Sequence, residues 1–351
     1  YYVVDAGAFR GDLLLANLRF RLFLVVALWV ATVLALALWL GGRTQQQINI
    51  GAGPAQSESF LLMTAIADVV NGMDRGFTVS VFETGGSIEN MELLELGQLD
   101  MGTAQADAVL PEEALGVTVL YSDAYHLVVN AASGVEQVSD LRDRSIGIPP
   151  VSSAADTSFW LLVEHYGLNE EKIDALPMSS SAANFAMEQG QIDAVFRVRA
   201  PGNRRIRELI GDQAMELVPI NQAAALSLNQ PALASGFIPR GSYRGYPQLP
   251  AEDLPTAVVS RLLVSTGEVP ATLVYEFTRS IFEARSEIAS RMPLAGFIQP
   301  LHDDARSPVA THPGARQYYD REKPGLLQQN ARLFSGLLYL SLIHISEPTR
   351  Q

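Results

Sequence analysis

Thr84-Gly85-Gly86-Ser87-Ile88-Glu89-Asn90, continued by the helical run Met91 to Leu96 and by Gly97-Gln98-Leu99-Asp100-Met101-Gly102, is the stretch that decides the fold. Its two glycines let the backbone come close to a ligand, and Ser87 is placed to cap the helix that follows. The start of that helix aims free N–H groups and a partial positive charge at whatever docks there. The stretch reads as an anion cradle. A second segment repeats its later part, because Glu188-Gln189-Gly190-Gln191-Ile192-Asp193-Ala194 echoes Glu95-Leu96-Gly97-Gln98-Leu99-Asp100-Met101. Both predict a helix closed by a glycine, a two-residue turn and a short buried strand, and hence two lobes built on one plan.

Working outward, Ile48 and Ile50 make a first strand, and apolar residues from Phe60 to Val70 recur at helical spacing behind Ser57 and Ser59. Phe77, Val79 and Val81 alternate with Thr78 and Ser80 as a second strand. Pro149-Pro150-Val151-Ser152-Ser153 is a stiff loop opening a helix with an apolar face of Phe159, Leu162, Val163 and Tyr166, closed by Gly167. Thr256 to Val264 predicts a buried strand and Leu273 to Ala289 one long helix. The alternation of strands and helices predicts an α/β fold around a mainly parallel sheet.

With Gly51-Ala52-Gly53 before it and Gln105-Ala106-Asp107 after it, the opening stretch resembles the TAXI family of TRAP-transporter solute receptors, which are periplasmic binding proteins. Ala200-Pro201-Gly202-Asn203 and His312-Pro313-Gly314-Ala315 followed by Tyr318-Tyr319 match in the same order, over roughly residues 48 to 322. The loop Pro54 to Phe60 departs from the family, whose first loop usually has more glycines and a tyrosine pair. The resemblance implies an α/β, two-lobed periplasmic-binding-protein fold of type II, a Venus flytrap with the ligand in a hinged cleft. On this basis 44–128 is the first part of lobe I, 129–222 is lobe II and 223–325 is the second part of lobe I. A TRAP-type membrane permease is the partner implied by the resemblance.

Composition narrows the function. There is no cysteine, which removes disulfides, thiolate metal sites and cysteine nucleophiles, and a net charge of −13 argues against a nucleic-acid partner. Leu22 through Leu40 is uncharged and almost wholly apolar, just long enough for a bilayer core of roughly 30 Å, and Arg10, Arg19 and Arg21 precede it. The positive-inside rule then gives residues 1–43 as a cytoplasmic stub and an uncleaved transmembrane signal anchor. The expected location is the cytoplasmic membrane, with the binding domain on the periplasmic, extracytoplasmic side. Tyr1 in place of methionine is read as a missing natural start, and 326–340 as the beginning of a truncated second transmembrane segment. Residues 341–351 resemble translated adapter sequence and are set aside.

The candidate ligand-binding residues group by lobe. In the first, Ser57, Ser59, Thr84, Gly86, Ser87, Asn90 and Gln105 surround the cradle, with Ser87 and Asn90 alternatively serving as a plain helix cap and a solvated first-turn residue. In the second, Ser152, Ser153 and Thr157 stand at the corresponding helix start, where plain capping is the competing role. Arg199 is the first choice for a bidentate carboxylate partner, against a structural salt bridge to Glu188 or Asp193. Its strand runs toward Pro201, which borders the ligand in the family. Tyr121 and Tyr125 near the crossover stack on a ligand or edge the core. Glu58 repels a carboxylate, so it points away or selects an amino group. The lone Gly51-Ala52-Gly53 lacks the third glycine of a dinucleotide loop, and the five scattered histidines share no metal-ligand spacing. The expectation is therefore a binding protein without cofactor, metal or enzymatic role, taking a small organic anion such as a dicarboxylate or an acidic amino acid. A membrane-anchored ligand-sensing flytrap without transport is the alternative.

Overall fold

The computed structural model describes residues 21–36, 46–151, 153–211, 214–303 and 307–322. Residues 21–36 form an exposed helix, α1. No helix among the described residues is long and apolar enough to cross a membrane. Residues 37–40 of the expected anchor lie outside the described residues, as do the stub 1–20, the segment 326–340 and the tail 341–351.

Two βαβαβ units carry the rest. The first is β1 (Gln46–Gly51), α2 (Glu58–Gly72), β2 (Phe77–Phe82), α3 (Ser87–Glu95) and β3 (Met101–Gln105). The long strand β4 (Ala114–Asn130) leads to the second, which is β5 (Ser145–Ile148), α4 (Ala154–His165), β6 (Asp174–Pro177), α5 (Ser180–Glu188) and β7 (Ala194–Arg199). Then follow α6 (Arg204–Leu209), β8 (Met215–Val218), α7 (Ala223–Asn229), β9 (Leu233–Ile238) and the hairpin β10 (Arg244–Gly245) and β11 (Gln248–Leu249). The strand β12 (Leu254–Thr266) returns the chain, and α8 (Ala271–Glu283), α9 (Arg285–Arg291), β13 (Gln299–Pro300) and α10 (Pro313–Tyr319) complete it.

The sequence echo has a structural cause in each unit. After α3, Gly97 takes φ +66°, its N–H bonds Leu94 O, and Gln98 N–H reaches Leu93 O. After α5, Gly190 takes φ +64°, its N–H bonds Met187 O, and Gln191 N–H reaches Ala186 O. This is the same Schellman closure twice, and a left-handed residue there favours glycine. The aspartate that ends each turn then accepts a backbone N–H from the neighbouring strand: Asp100 from Asn49 at 2.7 Å and Asp193 from Ser145 at 2.9 Å. The repeated Gly-x-x-Asp spacing thus ties a helix end to a parallel strand pair, β1 with β3 and β5 with β7.

The sheet order is β2-β1-β3-β12-β4-β7-β5-β6, with β8 and β13 on β4 and β9 on β12. The pairs β1/β3, β5/β6 and β5/β7 are parallel, but β12 is antiparallel to β3 and to β4, and β4 to β7. The sheet is therefore mixed rather than mainly parallel, because the chain passes between units along two extended strands and not through helical crossovers. Those strands also show where the chain beyond residue 223 packs. Ile238 and Tyr243 share a buried cluster with Ala183 and Val195 of the second unit. The return to the first unit falls within β12, whose pairing passes from β9 over Leu254–Val259 to β3 over Arg261–Ser265. An uninterrupted apolar strand carries no sequence mark of the point where its neighbours change. The long helix expected over Leu273 to Ala289 is likewise two helices meeting at Ala284. Thr278 and Ser280 bond back to the carbonyls of Val274 and Glu276, which competes with the helical ladder just before the break.

Candidate functional site

A cleft of about 590 Å³ opens where the N-termini of α2, α3, α4 and α5 come together. In both units these helices follow the parallel strands, so the cleft lies at the carboxyl ends of the strands, the usual binding edge of such sheets. Three of the four N-caps are serines: Ser57 accepts from Phe60 N at 3.2 Å, Ser153 from Asp156 N at 3.2 Å, and Ser179 from Ala182 N at 3.3 Å. The fourth is Gly86 at φ +126°, and α3 has no side-chain cap. Gly86 is in a backbone conformation that an L side chain rarely adopts, and the first turn of α3 lines the cleft.

Four helix starts give a positive potential in a chain of net charge −13, and arginines reinforce it. Arg261 of β12 lines the cleft, with Nε at 3.0 Å and Nη2 at 2.6 Å from one Asp123 oxygen, while its Nη1 donates to Ser87 Oγ at 3.1 Å. Burial pushes the Asp123 carboxyl up to about 6 against the pull of Arg261, so the pair is charged at neutral pH. Arg197 and Arg199, one residue apart on β7, both face the cleft. Arg197 is 4% exposed, donates from Nη1 to Phe196 O at 2.7 Å, and has no hydrogen-bond partner for Nη2 among the described residues. Burial and then the neighbouring Arg199 push its guanidinium down to about 9, still charged at pH 7. An uncompensated buried cation facing a cleft is costly unless something anionic completes it.

Of the sequence candidates, Ser57, Ser59, Gly86, Ser87, Gln105, Ser153 and Arg199 line this cleft. Ser87 does not cap α3; its hydroxyl instead accepts from Gln105 N at 3.1 Å and from Arg261. Thr84 and Asn90 are buried behind the wall, where Thr84 Oγ1 accepts from Gly53 N and donates to Asn90 Oδ1 at 2.6 Å, and Asn90 Nδ2 holds Thr103 O at 2.8 Å. These bonds brace the loop, and neither residue is part of the cleft lining. Tyr121 is buried beside Asp123 and Arg261, and Thr157 is exposed on α4 away from the lining. Pro201 lines a separate cavity of about 840 Å³, shared with Glu58, Asn203 and Phe297. Ser152 lies outside the described residues. The salt bridges considered for Arg199 are not formed among the described residues, Asp193 being taken by Ser145. Glu58 points away from the cleft and accepts from Asn203 Nδ2.

Sequence reasoning missed Arg261 and undervalued Arg197. Nothing in the local pattern of β12 marks Arg261, whose partner Ser87 lies 174 positions earlier. For Arg197 a signal existed, since an arginine between Phe196 and Val198 on a buried strand has no solvent to turn to.

Behind the arginine strand, His126 of β4 lies opposite Arg197, is fully buried, and has Nδ1 2.8 Å from Ala124 O and Nε2 on the Tyr243 hydroxyl. Burial, with the charge of Arg199 added to it, lowers its pKa to about 4. A depressed histidine contributes stability that is present above its unfolded value near 6.5 and is lost as pH falls toward 4. The stability difference between wild type and His126→Gln should therefore shrink by up to ~3 kcal/mol over that window. Denaturant titrations at several pH values measure it, and a pH-independent difference would refute the assignment.

The profile of the NMT1-like family matches residues 50–323. Among solved structures, a Bordetella bronchiseptica RB50 protein aligns with TM-score 0.51 at 14% identity, covering 80% of this chain and 99% of its own. A Xanthomonas citri protein solved with ATP aligns with TM-score 0.51 at 10% identity over 80% of this chain and 100% of its own. The periplasmic aliphatic sulphonate-binding protein of Escherichia coli aligns with TM-score 0.45 at 15% identity, over 79% and 88%. The likeness is one of fold, an α/β fold with a mixed sheet.

Proposed function

The chain belongs to the NMT1-like family, and from that membership and the cleft we propose that it is an extracytoplasmic solute receptor for a small organic dianion. The observation that carries this reading is Arg197, a buried guanidinium aimed into a cleft ringed by four helix N-termini. One anionic group docks at Gly86, Ser87 and Arg261, and a second at Arg197 and Arg199. A dicarboxylate suits this better than an acidic amino acid. The acidic residues of the described lining are Glu89 and Glu92, both exposed, and Glu89 already accepts from Gly85 N. An ammonium group therefore finds no carboxylate inside.

In this proposal the two units are the lobes of a flytrap that closes over its ligand about β4 and β12, and the protein acts by binding rather than turnover. The sequence resemblance to TAXI receptors supports delivery to a TRAP-type permease. The apolar run Leu22 to Leu40, helical over 21–36, supports an anchor that holds the cleft outside the cytoplasm.

A thermal-shift screen of the chain against dicarboxylates, acidic amino acids, sulfonates and neutral solutes tests the ligand class. A dicarboxylate at a hundred times its Kd should stabilise the protein by about 2.7 kcal/mol, read as a rise in Tm. A shift produced only by amino acids or neutral solutes would overturn the proposal.

A further inference from the structure

Beside the cleft, the starts of α2 and α6 are bonded directly to each other. Asn203, the N-cap of α6, accepts from Ile206 N at 2.9 Å through Oδ1. That bond fixes the orientation of the amide and leaves Nδ2 to donate to Glu58, the first residue of α2. Two positions on, Arg205 donates to Gln56 and lines both the ligand cleft and the adjoining cavity. Glu58 is 9% exposed, so its carboxylate is largely withdrawn from water and held by the Asn203 amide. Neither bond belongs to the sheet, and each joins the first βαβαβ unit to the segment that follows the second.

We infer that Glu58–Asn203 and Gln56–Arg205 form a clasp that sets how far the cleft opens, and so regulates ligand exchange at the site proposed above. The inference rests on that reading only for its functional consequence. The clasp itself is a property of the fold, and its test needs no ligand. A separate tie, in which Asp107 accepts from Ser158 at 2.8 Å and from Tyr125 at 2.9 Å, also links the units and is untouched by the changes below.

The chain has no cysteine, so a pair introduced by Leu96→Cys and Phe185→Cys labels uniquely. Both positions are exposed, and they lie about one turn beyond the cleft-lining residues Glu92 and Ser181. Pulsed electron–electron resonance on the full chain then reads the separation of α3 and α5. Asn203→Asp keeps the cap oxygen for Ile206 N, removes the donor and sets two carboxylates against each other, so a longer distance should become populated. Adding Glu58→Gln reverses the polarity of the bond, with the new amide donating to the new carboxylate, and should restore the original distribution. A variant that had merely lost its fold would not be rescued this way. An unchanged distribution in Asn203→Asp, or a failure of Glu58→Gln to restore it, would overturn the clasp.

Discussion

Replacing Arg197 with methionine is expected to weaken binding of the cleft's anion by roughly tenfold to more than a hundredfold, while raising the melting temperature of the free protein. The loss follows from the contact, since a charge-assisted hydrogen bond in a desolvated site contributes about 1.5–3 kcal/mol, or one to two decades in Kd. The gain follows from burial. Arg197 is 4% exposed, its Nη2 has no hydrogen-bond partner among the described residues, and its pKa is pushed down to about 9, so the fold bears the cost of that charge. An apolar side chain of similar length removes the cost and keeps the packing. Arg204→Ala is the control: Arg204 is 87% exposed and paired with Glu208, so both readouts should hardly move. Calorimetric titration with the ligand from the screen, alongside thermal melts, measures the set. Equal losses at Arg197 and Arg204 would mean that a diffuse positive potential, and not a specific contact, holds the anion.

Asp123→Asn should be the most destabilising single change near the site, costing about 3–5 kcal/mol, because it strands the buried Arg261 charge. Asp123 is 1% exposed and Arg261 8%, and one carboxylate oxygen receives both Nε and Nη2. The sign of a second change separates this mechanism from lost packing. Arg261→Met added to Asp123→Leu removes both charges, and should recover most of the stability while binding stays impaired, since Arg261 also holds Ser87 at the cleft wall. Urea denaturation of the two variants decides it. A double variant as unstable as Asp123→Asn alone would show that the pair matters for shape rather than for charge compensation.

Much of the architecture was legible because it is enforced locally. Helix closure at Gly97 and Gly190 depends on hydrogen bonds within one turn, and the serines at 57, 153 and 179 cap helices through residues three positions on. Such contacts are written in consecutive residues, so these helix starts and ends followed from spacing. Ser87 shows the limit of that reasoning. A serine at a helix start fits a cap by type, yet its hydroxyl turned to Gln105 N and Arg261, partners that local pattern does not supply.

What the sequence determined by itself, then, is the alternation of strands and helices, the repeated helix closure at Gly97 and Gly190, and serine-rich starts at three of the helices. Only the tertiary structure decided which charges are compensated. It brought Arg261 across 174 positions to Ser87 and paired it with Asp123, left Arg197 without an ion pair among the described residues, and turned Glu58 out of the cleft toward Asn203. Charge pairing and desolvation depend on distances through space between segments remote in the chain, whereas caps and turns depend on distances along it.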